Sequence, residues 1–354
     1  MDPATIAARI QQGTPEAPSG PMTLEIYPTL ACNLSCQFCD TTDRHRPPVN
    51  ELSLERWLEI VDEAAEMGVA RVFVLGGGEP LLRPDIATIL TRIKARGLEG
   101  ILTTNGTLLN PKLGGLMMDI GWDEIHFSLD GACPATHDSL RGVRGAFQRT
   151  VKAACRVAVQ RRRIQGAVPR IAVHFVLTNQ NYQELSDVVR LAHALGAFRV
   201  DFDVLIAYHP EQRALMLTPE QRARVPKLAE EAIKVAKSLG VATTLENFTH
   251  SDRLERGNAP INTAPTSGEG LHAAPCLKAW HYLVVQADGR TSPCCVLSGQ
   301  GGDVSSGSLT ELWRSDKFLN DVRAGMLSGQ PLPRCSECSW NILSHEDAIR
   351  RQLT

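Results

Sequence analysis

Three cysteines lie close together near the start of the chain, in the segment TLACNLSCQFCDTT. Cys32, Cys36 and Cys39 follow a C-x3-C-x2-C spacing directly after the apolar run LEIY. Three neighbouring thiolates are suitable ligands for zinc or for an iron–sulfur cluster. A closed zinc site needs a fourth ligand, for which Asp40 and His45 are candidates, whereas a 4Fe–4S cluster with three cysteines leaves one iron open. The spacing alone is compatible with both.

Four further cysteines form a second candidate metal site near the other end of the chain. Cys276 and Cys294 flank a predicted β-hairpin, and Cys335 and Cys338 form a C-x-x-C pair. Two pairs of thiolates suit a zinc ribbon and an iron–sulfur cluster equally well. A disulfide scaffold is not expected, because the N-terminus lacks a secretion signal and we therefore expect a reducing, cytoplasmic location.

The composition is that of an ordinary globular protein. Hydrophobic residues make up 43% and charged residues 21% of the 354 residues, and the formal net charge is −2. This charge creates no overall positive field that would gather nucleic acid. No apolar run is long enough for a transmembrane helix. We therefore expect neither a nucleic-acid nor a membrane partner.

Strand-like and helix-like segments alternate from residue 23 onward. The predicted strands are 23–29, 71–77, 100–105, 124–130, 170–177 and 199–205, and the predicted helices are 53–67, 84–96, 110–119, 145–163, 181–195 and 218–239. Six βα units imply a parallel sheet with right-handed crossovers, so we expect an α/β fold, a partial (β/α)6 TIM-type barrel. The first cysteines directly follow the first strand, at the barrel mouth where βα loops build active sites.

The chain divides into four predicted parts. They are a flexible tail at 1–22, the barrel at 23–244, a linker at 245–270 and a small α+β domain at 271–354. The linker is indicated by the Gly/Pro/Thr/Ser-rich stretch INTAPTSGEG. In the last part we expect a β-hairpin around Asp288-Gly289, a short helix near 308–324 and a C-terminal helix near 341–352.

Further motifs end the next strands in order. Gly77-Gly78-Glu79-Pro80 ends the second strand, Thr104-Asn105-Gly106 the third and Ser128-Leu129-Asp130-Gly131 the fourth, before Arg141-Gly142. Together with the C-x3-C-x2-C spacing and Phe38 before the last cysteine, this order resembles the radical S-adenosylmethionine (SAM) superfamily over about residues 23–210. The resemblance implies that Cys32, Cys36 and Cys39 hold a 4Fe–4S cluster whose open iron binds SAM.

The resemblance also implies which residues contact SAM and what the cofactor does. The backbone of Gly77 and Gly78 would approach the methionine amino group, because no side chain intervenes. The other implied SAM contacts are Glu79 and Asn105 in their motifs, Ser128 and Asp130 at the ribose, Phe38 on adenine and Arg141 at the methionine carboxylate, with a surface ion pair as the alternative for Arg141. Reductive cleavage of SAM would give a 5′-deoxyadenosyl radical that abstracts a substrate hydrogen atom, with flavodoxin or ferredoxin as the electron donor.

The second cysteine group resembles the SPASM/twitch auxiliary domains of that superfamily. The longer SPASM form has two further cysteines where this chain has Ser344 and Ala348. The resemblance therefore implies the shorter twitch type, with one auxiliary 4Fe–4S cluster held by Cys276, Cys294, Cys335 and Cys338. A cluster with four protein ligands has no open iron. Its expected role is to take an electron from the substrate radical, which favours net oxidation of a C–H bond.

Strand alternation predicts polar side chains in the barrel lumen. His174 and Asp203 are the candidate bases that take a substrate proton, and hydrogen-bonded structural groups are the alternative. Cys295 and Cys133 are candidate hydrogen-atom donors, although a lone cysteine is more often a small buried residue. Cys155, within AACRVAV, is expected in the core.

Three functions remain for comparison. The first is a dehydrogenase-like radical SAM oxidoreductase acting on a sugar, a cyclitol or a peptide side chain. The second is a radical SAM epimerase or peptide-modifying maturase with a cysteine hydrogen donor. The third is a zinc-stabilised binding protein without catalysis, which iron and sulfide analysis separates from the other two.

Overall fold

The computed structural model describes most of the chain. The described residues are 3–11, 20–39, 50–164, 168–205, 207, 210–249, 274, 276–336, 349 and 351–353. Outside them lie Cys338, the candidate zinc ligands Asp40 and His45, positions Ser344 and Ala348, the stretch 261–270 and most of the predicted helix 341–352.

Six parallel strands form the barrel sheet. They are β1 (Thr23–Ile26), β2 (Arg71–Val74), β3 (Glu99–Thr104), β4 (Glu124–Ser128), β5 (Arg170–Leu177) and β6 (Ala197–Val204), and β7 (Ala242–Thr243) extends the β6 edge. Every neighbouring pair from β1 to β7 is parallel. The predicted α/β barrel is confirmed, and several strands end a few residues earlier than predicted because their last residues already belong to the active-site loops.

Helices connect the strands. They are α2 (Leu54–Glu66), α3 (Ile86–Ala95), α4 (Pro111–Asp119), α5 (Pro134–Arg141), α6 (Ala146–Arg163), α7 (Leu185–Ala194) and α8 (Pro219–Leu239), after α1 (Pro3–Gln11) at the N-terminus. Local capping sets their ends: Ser53 accepts a hydrogen bond from Arg56 N at the start of α2. Gly240, with φ +66°, ends α8 in the left-handed conformation that glycine adopts readily. Among the described helices, none is long and apolar enough to cross a membrane.

The two faces of the sheet differ in polarity. Leu24, Ile26 and Phe127 belong to the large apolar core beneath the helices. Glu25 and His126 alternate with these residues, so they lie on the opposite face, which lines the lumen. This alternation gives the barrel a polar interior, as predicted.

Helix α6 turns one face toward the core. Ala153, Ala154 and Val157 are buried on that face. Cys155 lies off it and is exposed, so its predicted place in the core is wrong. The apolar residues around it suggested burial, but the helical period turns position 155 toward solvent.

The predicted flexible tail is partly ordered. Residues Pro3–Gln11 form α1, and its Ala7 and Ile10 are 1% and 0% exposed. Both pack with Trp280 and Met326 from the C-terminal part of the chain. The tail prediction is wrong for this segment, because two apolar residues at i and i+3 suffice to anchor a short helix on an existing core.

The C-terminal hairpin joins the barrel sheet. It consists of β8 (Tyr282–Val285) and β9 (Thr291–Ser292), and β8 pairs in parallel with β1. Met22 N and Thr23 N donate to the His281 carbonyl at 2.9 and 3.0 Å. The predicted hairpin is present, and it extends one nine-stranded sheet.

Helix α2 also clamps the C-terminal part, which contains α9 (Leu309–Ser315), α10 (Lys317–Leu327) and α11 (Pro333–Ser336). Arg56 Nε donates to the Val304 carbonyl at 2.7 Å. Glu63 Oε2 accepts from Leu309 N at 2.7 Å, which caps α9. These contacts fix the segment from Val304 to α9 against helix α2 of the barrel. The single helix predicted near 308–324 is two helices, because Asp316 caps α10 by accepting from Leu319 N.

Candidate active site

The first three cysteines lie on the loop that follows β1. Cys36 is 7% exposed and packs with Leu34 and Ala146, and Cys32 and Cys39 are partly buried against the same group. Cys39 N donates to the Cys36 carbonyl at 3.3 Å, which curls the end of the loop. The structure thus brings the three predicted ligands into one apolar site.

Burial opposes ionisation of two of these thiols, Cys32 and Cys36. Burial raises the pKa of Cys32 to about 11, against a hydrogen bond from Leu34 N that lowers it. Burial likewise raises the pKa of Cys36, and the Arg141 charge opposes it. In the described ranges, no three His, Cys, Asp or Glu side chains converge closely enough to hold a single ion. A cubane cluster does not require that convergence, because each thiolate binds its own iron.

The glycine motif after β2 supports the cysteine loop from below. Gly78 N donates to the Thr29 carbonyl at 3.0 Å, and Glu79 N donates to the Ala31 carbonyl at 2.8 Å. A Cβ atom on Gly78 would lie 1.9 Å from the Ala31 oxygen. Glycine at 78 is therefore required by the cysteine loop itself, which differs from the predicted reason, close approach to SAM. The contact of Gly77 with SAM stays a prediction.

Glu79 joins the ends of β2 and β3. Its buried carboxylate accepts hydrogen bonds from Thr104 Oγ1 at 2.6 Å, Asn105 N at 2.7 Å and Leu81 N at 3.1 Å. Burial raises the pKa of Glu79, and these hydrogen bonds lower it. Three donors within the protein hold the Glu79 carboxylate in place, and its contact with SAM stays a prediction.

Asn105 connects the β3 motif to the cysteine loop. Its Nδ2 donates to Asn33 Oδ1 at 2.9 Å, and its Oδ1 accepts from Thr107 N at 2.9 Å. Asn33 lies between the first two cysteines and also donates to Thr107 Oγ1 at 2.8 Å. Asn105, predicted to contact SAM, thus orients the loop that carries the cysteines.

Asp130 and Arg141 pair with each other. Asp130 is 0% exposed, and its carboxylate accepts from Val176 N at 2.8 Å and forms an ion pair with Arg141. Arg141 Nη1 donates to Cys36 Sγ at 3.6 Å, and its Cζ lies 5.3 Å from the centroid of the Phe38 ring. Burial lowers the pKa of Arg141, but the charges of Asp130 and Cys36 outweigh it and raise the pKa above its ordinary value.

This pairing involves two residues predicted to contact SAM. Asp130, expected at the ribose, and Arg141, expected at the methionine carboxylate, form a buried ion pair with each other, and their contacts with SAM stay predictions. Phe38, expected on adenine, lies against the Arg141 guanidinium. Arg141 Nε is buried and has no hydrogen-bond partner among the described residues. An anionic iron–sulfur cluster beside Cys36 would supply that partner, so the site fits the cluster.

Helix α5, which carries Arg141, was not predicted from the sequence. Its C-terminal turn pairs with the cysteine loop, since Ser35 N donates to the Arg141 carbonyl and Gln37 N to the Leu140 carbonyl at 3.1 and 2.9 Å. Gly142 ends the helix with φ +69°, and a Cβ there would lie 2.3 Å from the Ser35 oxygen. Pro134 at the first helical position and Gly142 after the last were the available signals.

The lumen holds the predicted pair of acid–base groups. His174 Nε2 lies 2.5 Å from Asp203 Oδ2, and the two side chains are 31% and 39% exposed. Burial lowers the pKa of His174, but the charge and hydrogen bond of Asp203 and the charges of Asp201 and Asp130 raise it above its ordinary value. Ser128, a predicted ribose contact, pairs in register with His174 and stays a prediction in that role.

The second cysteine group lies beside β8. Cys276, Cys294 and Cys335 are partly buried against one apolar cluster, and the fourth predicted ligand, Cys338, is outside the described residues. Burial raises the pKa of Cys294, and the nearby Lys278 ammonium opposes this.

Both candidate hydrogen donors are exposed thiols. Cys295 directly follows Cys294, and Cys133 lies at the N-terminus of α5 with its Sγ 3.5 Å from Thr136 Oγ1. Neither is buried, so the reading of these two as small core residues is wrong. Their role as donors stays a prediction.

The sequence reading missed Glu25, Lys278 and Tyr282. The Tyr282 hydroxyl donates to the Glu25 carboxylate, and Lys278 Nζ lies 4.5 Å from the centroid of the Tyr282 ring. Glu25 alternates with the apolar residues of LEIY, so the period-two rule applied to the other strands would have placed it in the lumen. The other two could not be placed, because the pairing of β8 with β1 was unknown.

Two sequence profiles match the parts of the chain that carry these cysteine groups. The radical SAM superfamily profile matches residues 26–192, and the SPASM iron–sulfur cluster-binding domain profile matches residues 276–339. The chain belongs to the radical SAM superfamily. As a member, this enzyme uses SAM and a 4Fe–4S cluster, and its SPASM domain binds auxiliary iron–sulfur, which confirms the predicted cofactors.

Similar proteins and structures agree with this assignment. The AdoMet-dependent heme synthase of Methanosarcina barkeri is 27% identical over 296 residues, 83% of this chain and 82% of that protein. The PqqA peptide cyclase of Gluconobacter oxydans is 27% identical over 334 residues, 91% of this chain and 85% of that protein. SuiB of Streptococcus suis bound to S-adenosylmethionine superposes with a TM-score of 0.68 at 19% identity, covering 90% of this chain and 70% of that chain. The structure of anSMEcpe with bound AdoMet gives 0.62 at 14% identity, covering 94% and 97%.

Proposed function

We propose that this radical SAM enzyme oxidises a C–H bond of its substrate and passes the released electron to a single auxiliary 4Fe–4S cluster. The substrate is a peptide side chain, or a sugar or cyclitol. Two similar proteins support a peptide: one is a PqqA peptide cyclase, and SuiB has been crystallised with its precursor peptide SuiA. The observation that carries the oxidation is the His174–Asp203 pair, since a carbon that is oxidised must lose a proton as well as a hydrogen atom.

The active-site loops keep the reacting groups in place. SAM at the open iron supplies, on one-electron reduction, the 5′-deoxyadenosyl radical that takes the substrate hydrogen atom. Cys32, Cys36 and Cys39 hold that cluster, and Arg141 stabilises the Cys36 thiolate by its charge. Glu79 prevents movement of the loop ends, which keeps the substrate C–H bond at a fixed distance from the radical.

His174 then takes the proton. With Nε2–H donated to Asp203, the neutral ring accepts the substrate proton at Nδ1. The Asp203 charge stabilises the resulting imidazolium, which is the same effect that raises the pKa of His174. An auxiliary cluster held by Cys276, Cys294, Cys335 and Cys338 would supply the one-electron acceptor for the substrate radical, so that the substrate would be oxidised by two electrons in total.

Two partners follow from this chemistry. A low-potential flavodoxin or ferredoxin supplies the electron that starts each turnover. The substrate enters the polar lumen, where His174 and Asp203 are partly exposed and open to it.

A second candidate function is redox-neutral inversion of a carbon centre, as an epimerase or peptide-modifying maturase. It is favoured by the exposed thiol of Cys295, which directly follows the predicted cluster ligand Cys294. Cys133 is the alternative hydrogen donor. In this function no electron leaves the substrate, and the auxiliary cluster keeps a structural role.

The test compares Cys335→Ala with Cys295→Ala in reconstituted, reduced enzyme. Oxidation predicts that Cys335→Ala still forms 5′-deoxyadenosine but no product, because hydrogen abstraction precedes electron removal. Cys295→Ala should then matter little. If instead Cys295→Ala or Cys133→Ala stops turnover, and wild-type product made in heavy water gains one deuterium without oxidation, the dehydrogenase proposal is wrong.

A further inference from the structure

One lysine lies beside the auxiliary cysteines. Lys278 is in the 3₁₀ turn Lys278–Trp280, two residues after Cys276. Its Nζ is 4.5 Å from the centroid of the Tyr282 ring, a distance at which the aromatic face attracts and holds the ammonium. The turn and the ring therefore fix the position of one positive charge.

Three cysteines pack in the same cluster as the residues that flank Lys278. Cys276, Cys294 and Cys335 pack in one apolar cluster with Leu277 and Ala279, the two residues that flank Lys278. This packing brings the thiol-bearing segments to the lysine turn.

The strand register directs the segment with Cys294 toward Tyr282. Cys294 has extended backbone, with φ −167° and ψ 167°. Continuing the antiparallel β8–β9 register by two residues therefore sets it beside Tyr282.

We propose that Lys278 raises the reduction potential of the auxiliary cluster. One-electron reduction makes the cluster and its four thiolates more negative by one unit, and a fixed ammonium nearby stabilises the reduced state. The apolar surroundings strengthen the effect because salt screens a half-buried charge weakly. Glu25 carries the opposing charge at this site, since its carboxylate accepts from the hydroxyl of Tyr282, whose ring lies against the Lys278 ammonium.

A higher potential makes the auxiliary cluster a better acceptor for an electron that leaves a substrate radical. The inference goes beyond the proposed function, because the potential belongs to the cluster and is measured without any substrate. The effect of Lys278 on the potential is expected whether the reaction is oxidation or inversion. The proposed oxidation can therefore fail without affecting this inference, and the inference can fail without affecting the proposed oxidation.

The test is a redox titration of the reconstituted full-length enzyme with dithionite, followed by electron paramagnetic resonance. Titrations with and without SAM separate the two clusters, because SAM alters only the signal of the cluster with an open iron. Lys278→Met removes the charge and keeps the chain length, and should lower the equilibrium constant for reducing the auxiliary cluster about tenfold, or about 59 mV for one electron. Lys278→Arg keeps the charge and should stay near wild type.

A second variant covers the case in which Lys278→Met does not assemble the auxiliary cluster. Glu25→Gln removes the opposing charge and keeps an acceptor for Tyr282, so it should raise the same potential. The proposal is overturned if Lys278→Met leaves the auxiliary potential at the wild-type value, or if both clusters shift equally. It is also overturned if Lys278→Met loses the cluster and Glu25→Gln does not raise the potential.

Discussion

Gly78→Ala tests how the cysteine loop is held. A Cβ at this position would lie 1.9 Å from the Ala31 oxygen and 2.5 Å from its carbonyl carbon. Ordinary van der Waals contact begins at 3.4 Å, so the loop that carries the cysteines must move by about 1.5 Å. Such a shift also breaks the bonds from Gly78 N to Thr29 and from Glu79 N to Ala31, each worth about 1 kcal/mol.

The assay counts iron and sulfide in reconstituted protein and measures 5′-deoxyadenosine formation from SAM. We expect Gly78→Ala to contain about four irons per chain instead of about eight, because only the auxiliary cluster assembles. SAM cleavage should fall to background. The matched control is Gly115→Ala, a helical glycine with nothing within 4 Å of the added Cβ. It should keep both clusters and gain about 0.5–1 kcal/mol in free energy of unfolding.

One result would refute this reasoning. If Gly78→Ala retains about eight irons and only its SAM binding is lost, then the glycine serves close approach of the cofactor, as the sequence first suggested. Full retention of both iron and SAM cleavage would show that the loop tolerates the added atom, and the contact with Ala31 would not matter for assembly.

Three further predictions concern the cluster, the base and the fold. Cys36→Ala should abolish SAM cleavage and leave about four irons per chain, whereas the exposed Cys155→Ala should do neither. If neutral His174 is the base, its protonation as pH falls through its raised pKa, above 6.5, should abolish activity, which appears as an acid limb in a pH–rate profile. Asp203→Asn should move this acid limb to lower pH. If the limb does not move, the assignment of His174 as the base is wrong. Arg56→Ala removes the hydrogen bond to the part-buried Val304 carbonyl and should lower the free energy of unfolding by about 1–3 kcal/mol in a denaturant titration. An unchanged midpoint would show that this contact between α2 and the C-terminal part does not stabilise the fold.

Local sequence patterns were sufficient for the barrel and for the positions of the motifs. The period-two runs and the helix caps are local signals, so six strands and most helices were found within a few residues of their ends. Helix α5 was missed because its eight residues PATHDSLR are too short and polar to show a helical period.

The pairing of strands that are distant in the chain could not be predicted from the sequence. The parallel pairing of β1 with β8 joins residues about 260 positions apart, and the local sequence of neither strand indicates which strand it pairs with. The sequence likewise located Asp130 and Arg141 near the SAM site. It could not tell whether these two charges satisfy a ligand or each other, because that depends on helix α5, which had not been identified.

Because β1 pairs with β8, one short strand helps to position both candidate metal sites. The C-terminal end of β1, Thr23–Ile26, leads into the loop with Cys32, Cys36 and Cys39. Its open edge binds β8, which leads back through Tyr282 and Lys278 to Cys276. Glu25, in the middle of the strand, accepts from Tyr282 across that edge. Because backbone hydrogen bonds of the strand ladder hold β8 against β1, they fix the strand that leads to Cys276 relative to the strand that leads to Cys32, independently of the predicted linker at 245–270. Changes in linker length should therefore leave electron transfer between lumen and auxiliary cluster unaltered, whereas a proline at Leu283, which removes a ladder donor inside β8, should disturb both iron sites together.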